Sequence, residues 1–412
     1  MISLEEAQSY VLATCLPLAP KRVSVTDALG MVLAEELVAR EAVPGFDNSA
    51  MDGYAVRALD TAGASPGAPV TLEVIGELRA GASSTVVLGA GQAVRIMTGA
   101  PVPTGADAIV MVESTTPGPG NTVTVHQSVT PGLHIRRAGE DVSPGDCVVA
   151  AGTQLGPGHL GVVASLGVEE VSVYPRPVVG VFSTGDELVG PGRPLQPGQI
   201  RDSNRVALLA ALRRANCVPV DLGLVADDEA AIERMVLDGA ARCDALISSG
   251  GVSMGDYDLV KVVLDRLGEM RWMQVAIKPA KPLAVGKVDV LARDRRRVPV
   301  FGLPGNPVSS LVSFELFARP ALRRMAGHPD GDLLRQPVAA VATEPLRRRP
   351  DGKVHFARVV VTPDDIGRLR VRLAGAQGSH QLSAMAAANA LAILPDGEGV
   401  DEGEPVLVLL LE

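Results

Sequence analysis

Aromatic residues and cysteines are scarce in this chain. Aromatics make up 3% of the 412 residues against 47% for all hydrophobic residues, so its cores must be built mainly from Val, Leu and Ala. The four cysteines are far apart and include no Cys-x-x-Cys pair, and the six histidines show no His-Glu-x-x-His spacing. These absences argue against a disulfide framework and a zinc site, and they fit a reducing compartment.

Net positive charge and long apolar runs are also missing. The formal charge is 38 − 47 = −9, which argues against a nucleic-acid partner, because such domains usually carry a basic face. No apolar run approaches the roughly 18 residues that cross a bilayer. Glu5 and Glu6 stand where a signal peptide needs a basic region and an apolar core. We therefore expect a cytoplasmic protein with no membrane or nucleic-acid partner.

The first part of the chain changes texture near residue 50. Ser3 and Glu6 form a capping box that predicts a helix to about Cys15. The apolar spacing over 25–38 predicts a second amphipathic helix. Short Val/Ile/Thr-rich segments between Gly and Pro turns over 51–129 predict a small all-β domain.

Strand and helix patterns alternate after Pro177. This alternation continues to about Met325 and predicts a doubly wound α/β domain with a largely parallel sheet. Beyond Pro329 the pattern is that of short strands again. The fold class is therefore α/β plus all-β, with several domains.

A glycine-rich loop follows one predicted strand of the α/β part and precedes a predicted helix. It is Ser249-Gly-Gly-Val-Ser-Met-Gly-Asp-Tyr-Asp258. Such a loop can present backbone N–H groups to an anion, whereas Asp256 and Asp258 suit a cation. Together they predict a phosphorylated ligand held with a metal ion, and the candidate anion contacts are Ser249, Gly250, Gly251 and Ser253. The alternative is a tight turn that needs glycine only for its geometry.

Two more polar loops fall at predicted carboxyl ends of strands, where open α/β sheets bind ligands. One is 183–188, with Asp186 and Glu187, and the other is 302–310. In the second loop Asn306 can cap a helix, and Pro307 suits its first turn. Three such loops at one sheet edge favour a phosphate-type ligand.

Lysines and further acids accompany these loops. Lys278 and Lys281 are held by Pro279 and Pro282, which favours aimed ammonium groups that bind an anion, although lysines that protect an exposed edge strand are an alternative. The acids suit Mg²⁺, which takes few carboxylates and shares phosphate oxygens. The pattern predicts metal-assisted chemistry rather than a covalent intermediate. The acids are Asp186, Glu187, Asp227, Asp228, Asp256 and Asp258.

The β domain carries its own dense polar stretches at 46–57, 95–101 and 135–142. In chain order, these stretches and the loops above resemble the molybdopterin molybdenumtransferase family, which contains the bacterial MoeA proteins and the E domain of gephyrin. The matching segments are 47–56 (DNSAMDGYAV), 95–100 (RIMTGA), 139–141 (GED), 183–188 (STGDEL), 249–253 (SGGVS), 277–282 (IKPAKP), 302–309 (GLPGNPVS) and 377–380 (QGSH).

The resemblance implies four domains and a homodimer. They are a split elongated domain (1–45 and 137–172), an inserted β domain (46–136), an α/β molybdopterin-binding domain (173–328) and a C-terminal β-barrel (329–412). It implies that the active cleft is shared between the α/β domain of one subunit and the β domain of the other. The implied reaction is molybdenum insertion: with Mg²⁺, molybdate is transferred onto the dithiolene of adenylyl-molybdopterin, the adenylate is hydrolysed and AMP is released. Another protein of the pathway would supply the adenylylated substrate.

The resemblance also assigns roles to residues of this sequence. Asp186, Glu187 and Asp258 are implied around the metal and the scissile phosphate, together with Asp228 or its neighbour Asp227. Lys278 and Lys281 are implied to hold molybdate or phosphate, beside a loop shaped by Pro304 and Pro307 that also carries Asn306 and Ser309. From the partner subunit come Asp52, Thr98, Arg136 and Asp141, and from the last domain Arg358 and Ser379.

Two positions depart from the family pattern. Ala280 stands where a glycine is usual between the lysines, and Tyr257 precedes Asp258 where the tyrosine usually follows the aspartate. Alternative functions are tungstate insertion, a non-catalytic molybdopterin-binding scaffold, and a nucleotide pyrophosphatase confined to 173–328.

Overall fold

A six-stranded sheet covered by helices forms the middle of the molecule. The computed structural model describes residues 1–83, 85–252, 259–290 and 297–411. The first four strands of the sheet are parallel and the last two antiparallel; in spatial order they are Val218–Val225, Val178–Thr184, Ala245–Ser249, Arg297–Leu303, Pro282–Asp289 and Gly268–Gln274. The α/β prediction is confirmed, with an antiparallel edge added.

Helices pack on both faces of this sheet. One face carries Glu229–Arg242 and Leu259–Leu267. The other carries Leu4–Thr14, Asn204–Arg214 and a helical run made of Pro307–Ser313, a π turn at Phe314–Ala318, and Arg319–Met325. Pro320 has no N–H to donate within the helix, which accounts for the irregular turn before it. None of the helices in the described ranges is long and apolar enough to cross a membrane.

The first helix begins as its capping box predicts. The Ser3 side chain accepts a hydrogen bond from the Glu6 backbone N–H at 3.1 Å. Ala7 and Val11 are buried in the same core as the α/β strands. By its packing this helix thus belongs with the α/β domain, which differs from its predicted place in the split domain.

The split domain is mostly β, and the helix predicted over 25–38 is wrong. That segment contains a 3₁₀ turn at Val25–Asp27 and the strands Val32–Leu33 and Leu37–Val38. Gly30, at φ 76°, interrupts any helix there, and the strands pair with later segments of the chain. Those partners are Glu170–Tyr174, which also pairs with Lys21–Ser24, and Cys147–Val149; the helix Pro157–Ser165 completes the domain.

The inserted domain is the small β domain that the sequence predicts. Its six-stranded sheet has the order Ala108–Met111, Gly53–Val56, Gln92–Ile96, Val70–Leu78, Thr122–Val125 and Thr115–Pro117. The chain enters it through the strand Asn48–Ser49 and leaves through Ile135–Arg136. These two short strands pair antiparallel and form a two-stranded neck.

The C-terminal part is a closed five-stranded barrel, which confirms that prediction. Around the ring its strands are Val354–Pro363, Leu369–Leu373, Val338–Ala342, Pro405–Leu410 and Ala390–Leu394, and the last pairs with the first. The short helix Leu382–Ala387 lies between two of them in the chain. Ile277–Lys278, which comes from the α/β domain, pairs with Val354 and His355 and joins the two domains.

Candidate active site

A cavity of about 670 Å³ lies at the carboxyl ends of the parallel strands. Three loops that the sequence singled out line it, through Glu187, Gly250, Gly251, Pro304, Asn306 and Pro307. Ser249, at the end of its strand, also faces the cavity, and His380 reaches it from the barrel side. The sequence thus predicted this edge of the sheet correctly as the place where the polar loops meet.

The two glycines of the central loop are required by its geometry. Gly250 has φ 94° and Gly251 has φ 69°, and a Cβ on Gly251 would collide with the Val260 side chain. The Gly250 N–H donates to the Leu303 carbonyl at 3.1 Å and is thus already used. The tight-turn interpretation therefore accounts for Gly250. Ser253, Asp256 and Asp258 lie outside the described residues.

Asn204 ties two of the cavity loops together, and the sequence analysis missed it. Its Nδ2 donates to Ser249 Oγ at 2.8 Å and to the Gly305 carbonyl at 2.7 Å. Gly305 and Gly250 lie close together, since a Cβ on Gly305 would be 3.8 Å from the Gly250 Cα. Asn204 therefore fixes the distance between the glycine loop and the loop that contains Pro304.

Asp202 supports this arrangement from below. It is 3% exposed and accepts hydrogen bonds from Ser183 Oγ at 3.1 Å and from Arg205 Nε at 2.8 Å. The run Asp202-Ser-Asn204 stands at the start of the helix Asn204–Arg214. Such polar residues signal a helix start, and this is the sequence signal that could have pointed to Asn204. A short parallel strand pair, Leu188–Val189 with Ile200–Arg201, separates it from the strand Val178–Thr184, so the local pattern does not connect it with the sheet edge.

Three carboxylates gather beside the cavity. The Asp227 backbone N–H donates to Asp186 Oδ1 at 3.2 Å. Partial burial raises the pKa of the Asp227 carboxyl above its ordinary value, and the negative charges of Asp186 and Glu187 raise it further. Asp228 is placed differently: its side chain accepts from the Ala231 N–H at 2.8 Å and caps the helix Glu229–Arg242. The acid nearest the predicted pair is thus Asp227.

This cluster fits a divalent cation by its chemistry. Oxygen ligands are what Mg²⁺ takes, and a cation would relieve the mutual repulsion that raises the pKa of Asp227. Within the described ranges, no three His, Cys, Asp or Glu side chains already converge at metal-binding distance. Substrate oxygens and water would therefore complete the coordination shell, as is usual for Mg²⁺.

The lysine segment borders the cavity. Pro282 lines it, while Lys278 and Lys281 are exposed and are not among its described lining residues. Lys278 also lies near His355 of the barrel, where its charge contributes to a lowered His355 pKa after the larger effect of burial. Ala280 has φ 78° and is 3% exposed, so the residue in the usual glycine position adopts a glycine-like backbone conformation.

The loop 302–310 and the barrel segment that carries Ser379 form one side of the site. Asn306 starts the helix Pro307–Ser313 without a side-chain capping bond, so its amide remains available to a ligand, whereas Ser309 is 5% exposed. The Ser379 carbonyl accepts from the Val308 N–H at 3.1 Å. The segment that carries Ser379 and His380 is thereby attached to the start of this helix.

Arg358 lies beneath that segment. It is 1% exposed, and its Nη2 donates to the carbonyls of Ala376 and Gly378, each at 3.3 Å. Burial lowers its pKa to about 10. Its contacts shape the loop of Ser379 from below.

Two of the predicted residues of the β domain, Asp52 and Thr98, are bonded to each other. Asp52 Oδ1 accepts from the Thr98 N–H at 2.7 Å and from Thr98 Oγ1 at 2.9 Å, and these bonds lower the pKa of Asp52. Arg136 is exposed on the neck, and Asp141 is exposed in the loop that follows. None of these residues is among the described side chains that line the cavity.

Comparison with known proteins identifies the family. Three models match in order: the MoeA N-terminal region (domain I and II) over residues 2–167, a probable molybdopterin binding domain over 180–324, and the MoeA C-terminal region (domain IV) over 339–411. The chain is 44% identical to molybdopterin molybdenumtransferase 2 of Mycobacterium tuberculosis over 402 residues, with 96% of each chain covered. This chain belongs to the molybdopterin molybdenumtransferase family.

Other relatives agree with this assignment. The molybdopterin molybdenumtransferase of Haemophilus influenzae is 39% identical over 412 residues, which cover 99% of this chain and 98% of the relative. The crystal structure of the molybdopterin biosynthesis MoeA protein from Pyrococcus horikoshii superposes with a TM-score of 0.81 at 29% identity and covers all of both chains. The predicted family, multidomain fold and transferase class are confirmed.

Proposed function

We propose that this family member is a molybdenum insertase. It takes adenylyl-molybdopterin and molybdate, hydrolyses the phosphoanhydride between AMP and molybdopterin phosphate, and leaves molybdenum on the dithiolene. Water is the second substrate of the hydrolysis, and no electrons are transferred in that step. The observation that carries this function is the carboxylate cluster of Asp186, Glu187 and Asp227 at the mouth of a cavity lined by backbone and amide groups.

The acid cluster is the proposed holder of Mg²⁺. When bound, the ion supplies charge neutralisation for the phosphoanhydride oxygens. The residues of the chain position the substrate around it. Asn204 holds the loops of Ser249 and Gly305 at a fixed separation, and Asn306 lines the cavity without a side-chain partner among the described residues.

The lysine segment supplies positive charge that would hold molybdate. Lys278 and Lys281 are exposed in the same segment as Pro282, which lines the cavity. Two ammonium groups on a proline-restrained segment favour an oxyanion such as molybdate. The segment also joins the barrel through its strand pairing, so Ser379 and His380 lie on the same side of the cleft as the lysines.

A second copy of the chain completes the cleft in this proposal. Asp52, Thr98, Arg136 and Asp141 lie on exposed parts of the β domain, apart from the cavity of their own chain. A homodimer would bring them to the α/β domain of the partner. A cytoplasmic location and a pathway enzyme that supplies the adenylylated substrate belong to the same proposal.

AMP release tests the function directly. Purified protein mixed with adenylyl-molybdopterin, molybdate and Mg²⁺ should release AMP, and it should stop doing so when EDTA removes the cation. Glu187→Gln should lose the activity, whereas Glu233→Gln, which makes the same charge change at a surface ion pair with Arg266, should keep it. Full AMP release by Glu187→Gln would favour a different role for the cavity.

A further inference from the structure

An arginine-lined cavity lies where the split domain, the α/β domain and the barrel region meet. Its volume is about 250 Å³, and it shares none of its described lining residues with the candidate active site. The amides of Gln154 and Asn216 line it beside four guanidinium groups. These belong to Arg214, Arg319, Arg323 and Arg335.

The cavity carries more positive than negative charge. Glu315, 6% exposed, is the carboxylate in its described lining; it accepts from Arg214 Nη2 at 2.9 Å and from Arg335 Nε at 2.8 Å. Asp332 lies at the outer side of Arg323 and raises that arginine's pKa against the larger opposite effect of burial. Counting the described residues alone, two acids face four arginines, which leaves a surplus of two positive charges.

Arg319 is the least satisfied of the four. Its side chain is 14% exposed, and among the described residues its Nε lies 3.8 Å from Glu315 Oε2 and its Nη1 donates to the Leu333 carbonyl at 3.5 Å. Arg335, by contrast, donates to Glu315 and to the carbonyls of Leu410 and Leu411. Burial and, after it, the positive charge of Arg335 lower the pKa of Arg319 to about 10. Within the part of the chain that the structure describes, most N–H groups of Arg319 therefore have no strong acceptor.

The wall of this cavity is also irregular in its backbone. The π turn Phe314–Ala318 contributes Phe314 and Glu315 to the lining. π turns inside α-helices occur frequently at functional sites. An adjoining cavity of about 490 Å³ shares Arg214 and Glu315 with it and is otherwise largely apolar, with Leu382 and Met385 in its wall.

We propose that the arginine-lined cavity binds a phosphate-type oxyanion, either free or as the end group of a molecule whose apolar part occupies the adjoining cavity. Guanidinium groups match such oxygens with paired N–H donors. An anion would neutralise the surplus charge and supply acceptors for Arg319. This site is independent of the proposed insertase reaction.

Anion binding to the full chain tests the inference. The candidate active site is first weakened as an anion site by Lys278→Gln together with Lys281→Gln. In this background, inorganic phosphate should bind by calorimetry and raise the unfolding temperature relative to chloride at equal ionic strength. Arg319→Gln should weaken phosphate binding by about tenfold to a hundredfold, the effect of losing a hydrogen-bond donor to a charged group.

Matched variants separate the possible outcomes. Arg213→Gln makes the same charge change at an exposed position beside Arg214 and should leave phosphate binding unchanged. Tighter binding of phenyl phosphate than of phosphate indicates a ligand with an apolar part, and equal binding indicates a free oxyanion. If Arg319→Gln does not fold, Arg323→Gln takes its place. The inference is overturned if the double lysine variant does not bind phosphate. It is also overturned if neither Arg319→Gln nor Arg323→Gln weakens the binding.

Discussion

Two aspartates in different regions of this protein, Asp52 in the β domain and Asp227 at the α/β cavity, differ in how their negative charge is stabilised. In the β domain, Asp52 receives two hydrogen bonds from Thr98, and its pKa is lowered. At the α/β cavity, Asp227 lies beside Asp186, and its pKa is raised by partial burial and by neighbouring negative charge. The Asp52 carboxylate thus receives its hydrogen bonds from within the chain. At the α/β cavity, a cation would relieve the repulsion among the carboxylates, and for this reason the proposed function places Mg²⁺ there.

Substituting Asp227 and Asp228 one at a time should give the largest difference in activity. Asp227→Asn should lower AMP release by about 10²–10³-fold, since it removes a charge placed to hold the metal. Asp228→Ala should keep the activity but lower the free energy of unfolding by about 1 kcal/mol, because it removes a helix cap. Steady-state rates and urea denaturation of both variants measure the difference. The reverse pattern would exchange the roles of the two residues.

Subunit mixing tests whether the two regions meet across a dimer. Asp52→Ala and Glu187→Gln should each be inactive alone. Co-refolded in equal amounts, they form heterodimers that contain one intact cleft, so about a quarter of the wild-type activity should return. If both regions acted within one subunit, the mixture would stay as inactive as its components. Sedimentation of the mixture verifies that dimers have formed.

Asn204 tests how strictly the cavity loops must be fixed. Asn204→Ala removes hydrogen bonds to Ser249 and Gly305 and should reduce kcat/KM about tenfold, which corresponds to roughly 1.4 kcal/mol. Asn121→Ala, in an exposed turn of the β domain, is the matched control and should leave kcat/KM unchanged. An unaltered rate for Asn204→Ala would show that the loops hold their separation without it.

Backbone strain provides a further contrast between the two regions. Ala280, in the lysine segment, and Gly99, beside Thr98, have almost the same φ, 78° and 80°. Ala280→Gly should raise the free energy of unfolding by about 1 kcal/mol, and Gly99→Ala should lower it by a similar amount. Added bulk is not the reason at Gly99, since a Cβ there would be 3.9 Å from the nearest side-chain atom. If each variant were as stable as the wild type, backbone strain would not distinguish Ala280 from Gly99.

Titration of the carboxyl groups should show the smallest difference. Asp52, with its lowered pKa, stabilises the fold above its unfolded pKa, and this contribution disappears as the pH falls through its folded pKa. Asp227, with its raised pKa, has the opposite sign: stability decreases as the pH rises through its folded pKa. Carboxyl-carbon NMR should place the Asp227 midpoint above that of Asp52. Mg²⁺ should lower the Asp227 midpoint and leave Asp52 unchanged.

Most of the α/β domain could be predicted from the sequence, because its central strands Val178–Thr184, Ala245–Ser249 and Arg297–Leu303 are mostly apolar and alternate with helical patterns. The helix predicted over 25–38 failed since long-range pairing of Val32–Leu33 with Val173 and Tyr174 overrides the local apolar spacing. Asp227 and Asp228 could not be separated, because a one-residue difference decides which of them caps the helix. Asn204 follows a short parallel strand pair, and nothing in the local pattern reveals that it bonds to Gly305, 101 residues away.

The neck of the β domain makes that domain modular. The strands Asn48–Ser49 and Ile135–Arg136 pair directly, so the polypeptide leaves the domain about 5 Å from where it entered. A short turn could close that gap, and the whole insertion could be exchanged between relatives as a cassette without breaking the scaffold. The residues that the domain presents could therefore diverge at their own pace.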